Sequence, residues 1–175
     1  SVFVFDKKRN FQDIELSFFL LARLVHCQSK AFHLLEEWKK RLNRIRKITI
    51  TLKYKPKVFM VIWPKPLTSC GPGSFHHEII EDSGGRNIIS SLSRYPRVSR
   101  EEVLSQNPDF IFILAHDKGN PKTFWTSFSQ LKAVKKKHIF ILPDRFAIPL
   151  PSYYVEAVEW IYRKLNRNPN NKKRN

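Results

Sequence analysis

Cysteine, glycine and methionine are scarce in this 175-residue chain, which has two, five and one of them respectively. Cys27 and Cys70 lie far apart in sequence and lack the close pairing typical of a thiolate metal site. The first falls in a helical pattern and the second in a loop, so a disulfide is possible, but two separate thiols are the simpler expectation.

Long apolar runs are also lacking. The longest apolar-rich stretch, LSFFLLA at residues 16–22, is too short to span a bilayer and is followed by Arg23. The chain starts at Ser1 without a charged leader or a cleavage site, so we expect a mature protein or a piece of one. The compartment therefore cannot be inferred from a signal segment.

Acidic residues are outnumbered, with 15 Asp and Glu against 32 Lys and Arg, for a net charge of +17. The basic runs at residues 39–47, 135–138 and 163–175 are scattered and accompany no helix-turn-helix or aromatic-basic RNA-binding pattern. This distribution favours a solvated basic surface and no nucleic-acid partner. A basic α/β module that binds nucleic acid or an anionic surface is the alternative function.

The apolar pattern predicts an α/β fold: a mostly parallel sheet with helices on both faces. A strand at 1–5 and a helix from Phe11 precede a long helix from Gln28, whose β-branched end at 48–52 also suits a strand. Phase continuity favours helix up to Pro56. The later strands are predicted at 57–63, 108–114 and 138–142, with a short one possible at 87–90, and the later helices at 74–82, 99–106, 122–134 and 151–165.

Ligands bind beyond the carboxyl ends of the strands in such sheets. Those ends hold the loop WPKPLTSCGPGSF (63–75), His116, and the pair Arg145 and Phe146. The loop lacks the G-x-S-x-G of a nucleophile elbow and the GK[ST] of a phosphate loop. No carboxylate pair is placed for acid–base chemistry, so we predict a binding protein that is not an enzyme and has no resident cofactor or metal.

Four segments together resemble the C-terminal lobe of substrate-binding proteins of bacterial ABC importers, in the group that serves cobalamin and ferric chelates (siderophores, haem). They are VFMVIW, GPGSFHHEIIEDSGGRNI, YPRVSREEVLSQNPDFIFIL, and Trp125 followed by LKAVKKKHIFILP. Each is weak alone, but their order and spacing make the resemblance specific. It extends to about residue 166.

The resemblance implies two lobes joined by a long helix, with ligand in the cleft between them. Residues 1–26 would be a remnant of the N-terminal lobe, 27–55 the inter-lobe helix, 56–166 the C-terminal lobe and 167–175 a basic disordered tail. Most of the first lobe is missing, through either truncation or loss. The implied protein is periplasmic or anchored at the cell surface and delivers its ligand to the transmembrane subunits of an ABC permease.

The resemblance also assigns roles to two residues. Tyr95 falls where the cobalamin-type proteins place an aromatic side chain against the ligand, and Glu101 matches a glutamate that docks onto the permease. Position at the strand ends adds further ligand-binding candidates: Trp63, Lys65, His116, Arg145 and Phe146. A core position is the alternative for Trp63, and a solvated loop position for His116.

Overall fold

The structure is a computed structural model that describes residues 8–91, 93–114 and 121–166. The predicted first strand, the candidate His116 and the predicted tail lie outside these residues. The elements in chain order are α1 (Phe11–Leu24), α2 (Gln28–Thr49), β1 (Lys57–Pro64), β2 (Leu67–Ser69), α3 (Phe75–Asp82), β3 (Arg86–Asn87), α4 (Arg100–Gln106), β4 (Phe110–Leu114), α5 (Pro121–Thr126), α6 (Lys132–Lys135), β5 (Ile139–Leu142), a 3₁₀ turn (Asp144–Ala147) and α7 (Pro151–Asn166).

The strands form one sheet in the order β2-β1-β4-β5, with β3 also paired to β1. The β1–β4, β4–β5 and β1–β3 pairs are parallel, and only the β1–β2 pair in the described chain is antiparallel. The expected α/β fold with a mostly parallel sheet is therefore confirmed.

Alternate residues of the buried strands enter two separate cores. Met60 and Phe112 pack on the side of α2, α3 and α7, whereas Phe59 and Ile113 pack on the other side against Val103 and other residues. Successive side chains of a strand point to opposite faces, and burial on both faces accounts for the continuously apolar strand sequences.

The long helix is shorter than predicted, because α2 ends at Thr49 instead of near residue 55. The N–H groups of Thr51 and Leu52 donate to Ile48 and Thr49 in a tight terminal turn. The Thr49 hydroxyl donates to the backbone oxygen of Asp82 at 3.2 Å, which ties this end of α2 to the end of α3. The helix therefore ends within the β-branched run at 48–52. The helical periodicity of the apolar residues did not predict this end.

The single helix predicted at 122–134 is also wrong, since residues 127–131 separate α5 from α6. Leu131 is inserted into the core ahead of α6. The side chain of Asn107 accepts the Lys132 N–H at 2.9 Å, while Asn107 itself ends α4 in a left-handed conformation with φ 49°. A residue distant in sequence thus sets the start of α6.

The loop after β1 contains an unpredicted antiparallel strand, β2. Ser69 anchors this strand, because its hydroxyl donates to the Met60 oxygen at 2.7 Å. The segment is therefore a hairpin followed by a crossing into α3, and only the crossing was expected. The short strand considered at 87–90 is β3 and retains only Asn87 of that range.

Among the helices that the structure describes, none combines the length and the apolar character that a membrane crossing requires.

One half-buried polar cluster joins three helices. Arg46 of α2 donates to both carboxylate oxygens of Asp82 at 2.8 and 2.7 Å, and the Tyr154 hydroxyl of α7 donates to the same carboxylate at 2.7 Å. Burial raises the pKa of Tyr154 well above its usual value, and the neighbouring Asp82 acts in the same direction. The phenol therefore stays protonated and serves as a donor.

Replacing Asp82 by Ala should lower the free energy of unfolding by about 3 kcal/mol, because Arg46 and Tyr154 lose their shared acceptor. Urea denaturation followed by circular dichroism measures the change. Glu159→Ala is the matched control, since it removes the two-pronged partner of Arg41, and Glu159 is more exposed than Asp82. It should cost at most about 1 kcal/mol. Equal losses in the two variants would contradict the proposed importance of the cluster.

Candidate functional site

The β1–β2 hairpin and residues 94–98 form one small ladder beyond the carboxyl end of β1. The Ser69 N–H donates to the Pro96 oxygen at 3.0 Å, and the Gly71 N–H donates to the Arg94 oxygen at 2.9 Å. The Val98 N–H bonds back to Leu67 at 3.0 Å. These bonds fix the Pro-flanked segment against the hairpin.

Trp63, Thr68 and Arg97 occupy successive positions in a row across this ladder. Trp63 pairs with Thr68 in the hairpin, and Thr68 forms an isolated bridge with Arg97. Paired residues of neighbouring antiparallel strands place their side chains on the same face. Trp63 is 46% exposed and Arg97 is also exposed, so an aromatic ring and a guanidinium share a solvent-facing surface.

Tyr95 lies beside this row and is 37% exposed. Its hydroxyl is 3.2 Å from Nδ1 of the buried His76, and the two rings meet edge to face with centroids 5.9 Å apart. Burial raises the pKa of Tyr95 to about 12, so the phenol is neutral at physiological pH. One part of the ring is thus anchored while the rest faces solvent.

Asn87 supports the end of the hairpin at residues 69–71, which we call the hairpin wall. Its side-chain nitrogen donates to the Cys70 oxygen at 2.7 Å and lies 3.0 Å from Nδ1 of His77. Its side-chain oxygen accepts the Ile89 N–H at 3.1 Å. The amide therefore links the end of the hairpin to α3 and to the segment after β3, which makes this wall a rigid support.

Gly71 is required where the wall meets the segment before Tyr95. A Cβ at this position would lie 2.3 Å from the oxygen of Ser93 and 2.7 Å from that of Ser91. These are backbone atoms that cannot swing away, so the close approach of the two segments needs glycine.

The two candidates after β5 have other partners. Arg145 forms a two-pronged ion pair with Glu156, with Nε 2.9 Å from one carboxylate oxygen, and this pairing holds the pKa of Glu156 below its usual range. Phe146 is only 2% exposed and packs in the core near Trp160. This burial contradicts the predicted ligand contact of Phe146, because the apolar side chain turns inward from the 3₁₀ turn.

The remaining candidates lie at different distances from the ladder. Lys65 is exposed in the turn between β1 and β2, two positions after Trp63. Glu101 is exposed in the first turn of α4, which begins after Ser99 accepts the Glu102 N–H at 3.0 Å. Arg145 follows β5, which β4 separates from β1. The structure therefore brings together Trp63, Lys65 and Tyr95, and leaves Arg145 apart from them.

Sequence reasoning missed two residues of this site, the exposed Arg97 and the buried His76. Arg97 is two positions after Tyr95 in an extended segment, and this spacing could have indicated a shared face. His76 gave no such signal, because only the tertiary contact with Tyr95 distinguishes it from its neighbour His77. No cluster of three or more metal-ligating side chains occurs within residues 8–91, 93–114 and 121–166.

Comparisons with known proteins agree with this architecture. A family model described as "Periplasmic binding protein" matches residues 1–146. A vitamin B12-binding protein of Salmonella paratyphi A is 37% identical over 68 residues, which is 38% of this chain and 26% of that relative. The matched segment thus spans about a quarter of the curated relative.

Solved structures share the fold. The vitamin B12 binding protein BtuF of Vibrio cholerae has a TM-score of 0.75 at 24% identity, covering 95% of this chain and 65% of that one. A possible iron-binding protein of Staphylococcus epidermidis has a TM-score of 0.79 at 19% identity, covering 94% and 66%. The haem complex of IsdE from S. aureus gives 0.76 at 22% identity, covering 90% and 66%.

The environments of the two cysteines predict different reactivity. Cys27 is exposed, whereas Cys70 is buried and burial raises its pKa to about 12; the two thiols are not paired. We expect one thiol per chain to react with a disulfide reagent at pH 8 in the native state, and two in denaturant, because only a thiolate attacks. Cys27→Ser should abolish the native reaction. A rapid reaction in that variant would contradict the burial of Cys70.

Proposed function

Because this chain belongs to the periplasmic binding protein family, we propose that it forms the C-terminal lobe and inter-lobe helix of a solute-binding component of an ABC importer. Its ligand is cobalamin or a ferric chelate such as a siderophore or haem. Members of this class bind and transfer solutes and do not catalyse reactions, and they act outside the cytoplasm. We further propose that this protein hands its ligand to a permease.

The ladder row carries the proposal. Trp63 and Tyr95 offer aromatic faces at the carboxyl end of the sheet, and Arg97 places a planar cation in the same row as Trp63. Large metal chelates present flat or apolar surfaces with carboxylate, amide or phosphate groups at the periphery. Aromatic faces pack on the former, and a guanidinium donates two parallel hydrogen bonds to the latter.

The relatives support the same class of ligand. The curated relative is a vitamin B12-binding protein, and the structural neighbours include proteins for haem and for ferric hydroxamates. The ligands named for these proteins are all large metal-containing chelates. Within the class, the structure favours a ligand with at least one anionic or strongly polar group within reach of Arg97, and Lys65 adds a second cation at the same edge.

An apolar face on α1 and the start of α2 supports a two-lobed protein. Its exposed members include Leu24 of α1, Val25 directly after it and Phe32 of α2. A groove of about 470 Å³ runs along this face between the two helices and Leu150. A cluster of exposed apolar side chains on one face indicates a contact surface, and we propose that the remainder of the first lobe covers it.

Binding is tested with the intact two-lobed protein, titrated with cyanocobalamin, haemin and a ferric hydroxamate while tryptophan fluorescence and ligand absorption are followed. Trp63→Ala and Arg97→Ala should each weaken binding by about tenfold or more, as expected for a buried aromatic or charged contact. Arg86→Ala is the matched control, because Arg86 is exposed at the opposite edge of the sheet. It should leave the affinity unchanged.

Absence of binding to all three ligands would contradict the proposed ligand class. Equal losses in Arg97→Ala and Arg86→Ala would contradict the placement of the site at the ladder.

Docking is tested separately through Glu101. A carboxylate in the first turn of a helix is favoured there by the backbone dipole and can still pair outward with a permease cation. Glu101→Ala should reduce ligand uptake by a reconstituted transporter while ligand affinity is retained. The neighbouring Glu102→Ala, also exposed on α4, is the control with the same change in charge. Loss of affinity with normal uptake would contradict the docking role.

A further inference from the structure

Basic side chains that are scattered in sequence converge at the amino-terminal edge of the sheet, opposite the ladder. Because β1, β3, β4 and β5 are mutually parallel, the segments that lead into them meet at this edge. We call this surface the basic edge and define it by seven exposed or half-buried side chains: Lys53, Lys55, Lys57, Arg86, Lys135, Lys136 and Lys137.

Hydrogen bonds tie these segments together. The Arg86 N–H donates to the Pro56 oxygen at 2.8 Å, and the Asp109 N–H donates to the Lys57 oxygen at 2.8 Å. His138, directly after the lysine run, has its Nδ1 3.2 Å from the Asp109 oxygen. The convergence is therefore a property of the packed sheet and does not depend on flexible side chains.

Little negative charge offsets the basic edge. Within the described chain, the only ion pair of its seven members joins Lys55 to Glu81 at 3.6 Å. Asp109 is buried and accepts the Tyr54 hydroxyl at 3.0 Å and the Lys57 N–H at 2.9 Å. Lys57 is half-buried, and its Nζ donates to the Gln106 oxygen at 3.0 Å. The other cations face solvent, so the edge has a strong positive potential.

Exposed apolar side chains adjoin these cations. Ile50, which follows the last residue of α2, is 82% exposed, and Ile48 and the ring of Tyr54 are also exposed. Ile50 and Tyr54 lie on either side of Lys53 in sequence, and Thr49, the neighbour of Ile50, bonds to the end of α3. A projecting aliphatic side chain beside lysines is a combination that enters the headgroup region of a bilayer.

We propose that the basic edge binds an anionic phospholipid surface, with Ile50 entering the headgroup layer beside the lysines. Phosphate groups of the lipids neutralise the cations, and the acyl boundary accepts the exposed isoleucine. A nucleic acid would satisfy the charges but offers no apolar layer for Ile50, so the observations favour the membrane. The edge is opposite the ladder, which leaves the candidate ligand site open during this contact.

Co-sedimentation of the 175-residue chain with vesicles tests the proposal. Vesicles of phosphatidylcholine with about 30% phosphatidylglycerol should bind the protein at about 0.05 M NaCl and release most of it at about 0.3 M, as screening predicts. Pure phosphatidylcholine vesicles should bind little. Equal binding to both compositions would overturn the proposal, since it would indicate a contact through the apolar face of α1.

A charge reversal locates the contact. The triple variant Lys135→Glu, Lys136→Glu and Lys137→Glu should lower the partition onto anionic vesicles by about tenfold or more. The control triple variant Arg23→Glu, Lys30→Glu and Arg100→Glu changes the net charge equally at exposed positions away from the edge. Circular dichroism verifies the fold of both. An equal loss in both would overturn the proposal, because binding would then follow net charge alone.

The apolar contact separates a membrane from a nucleic acid. Ile50→Ser should weaken vesicle binding several-fold without any change in charge, whereas Val25→Ser, which removes another highly exposed aliphatic side chain at the end of α1, should not. If Ile50→Ser binds vesicles as the parent does, or if a DNA duplex competes fully with the vesicles, the membrane assignment is wrong.

Discussion

Parallel pairing of β1 with β4 and β5 is the constraint on which the arrangement of this molecule depends. Because the three strands run in the same direction, every segment that leaves them emerges at one edge and every segment that enters them starts at the other. The ladder with Trp63, Tyr95 and Arg97 lies at the first edge. The lysine-rich basic edge lies at the second, and the buried core separates the two surfaces.

Each surface is supported by polar groups beneath it that are not themselves proposed to bind ligand or lipid. Asn87 and Gly71 hold the hairpin wall, so that Tyr95 is anchored through His76 while part of its ring faces solvent. Asp109 stabilises the other edge, where its carboxylate accepts hydrogen bonds from the Tyr54 hydroxyl and the Lys57 N–H. The Arg46–Asp82–Tyr154 cluster keeps α2 in a set position against α3 and α7. The surfaces are consequently rigid supports for binding.

Local patterns predicted the elements whose burial repeats regularly. The apolar strands and the caps of α3 and α4 at Ser74 and Ser99 could be predicted, because each signal lies within a few residues. The split of 122–134 could not, because Asn107 determines it from outside that stretch. The prediction that Phe146 contacts ligand failed for the same reason. Whether this turn residue faces the ligand site or the core depends on how α7 packs, which lies outside its local sequence.

The amino-acid sequence by itself determined the α/β class, the family resemblance and the edge at which ligand residues should lie, since these follow from periodicity and ordered motifs. Only the tertiary structure decided which side chains share a surface. It joined Arg97 to Trp63 across Thr68, and it engaged Arg145 with Glu156. It also gathered lysines from separate segments into one edge. Such neighbours are set by strand pairing and helix packing between distant residues, which no local pattern records.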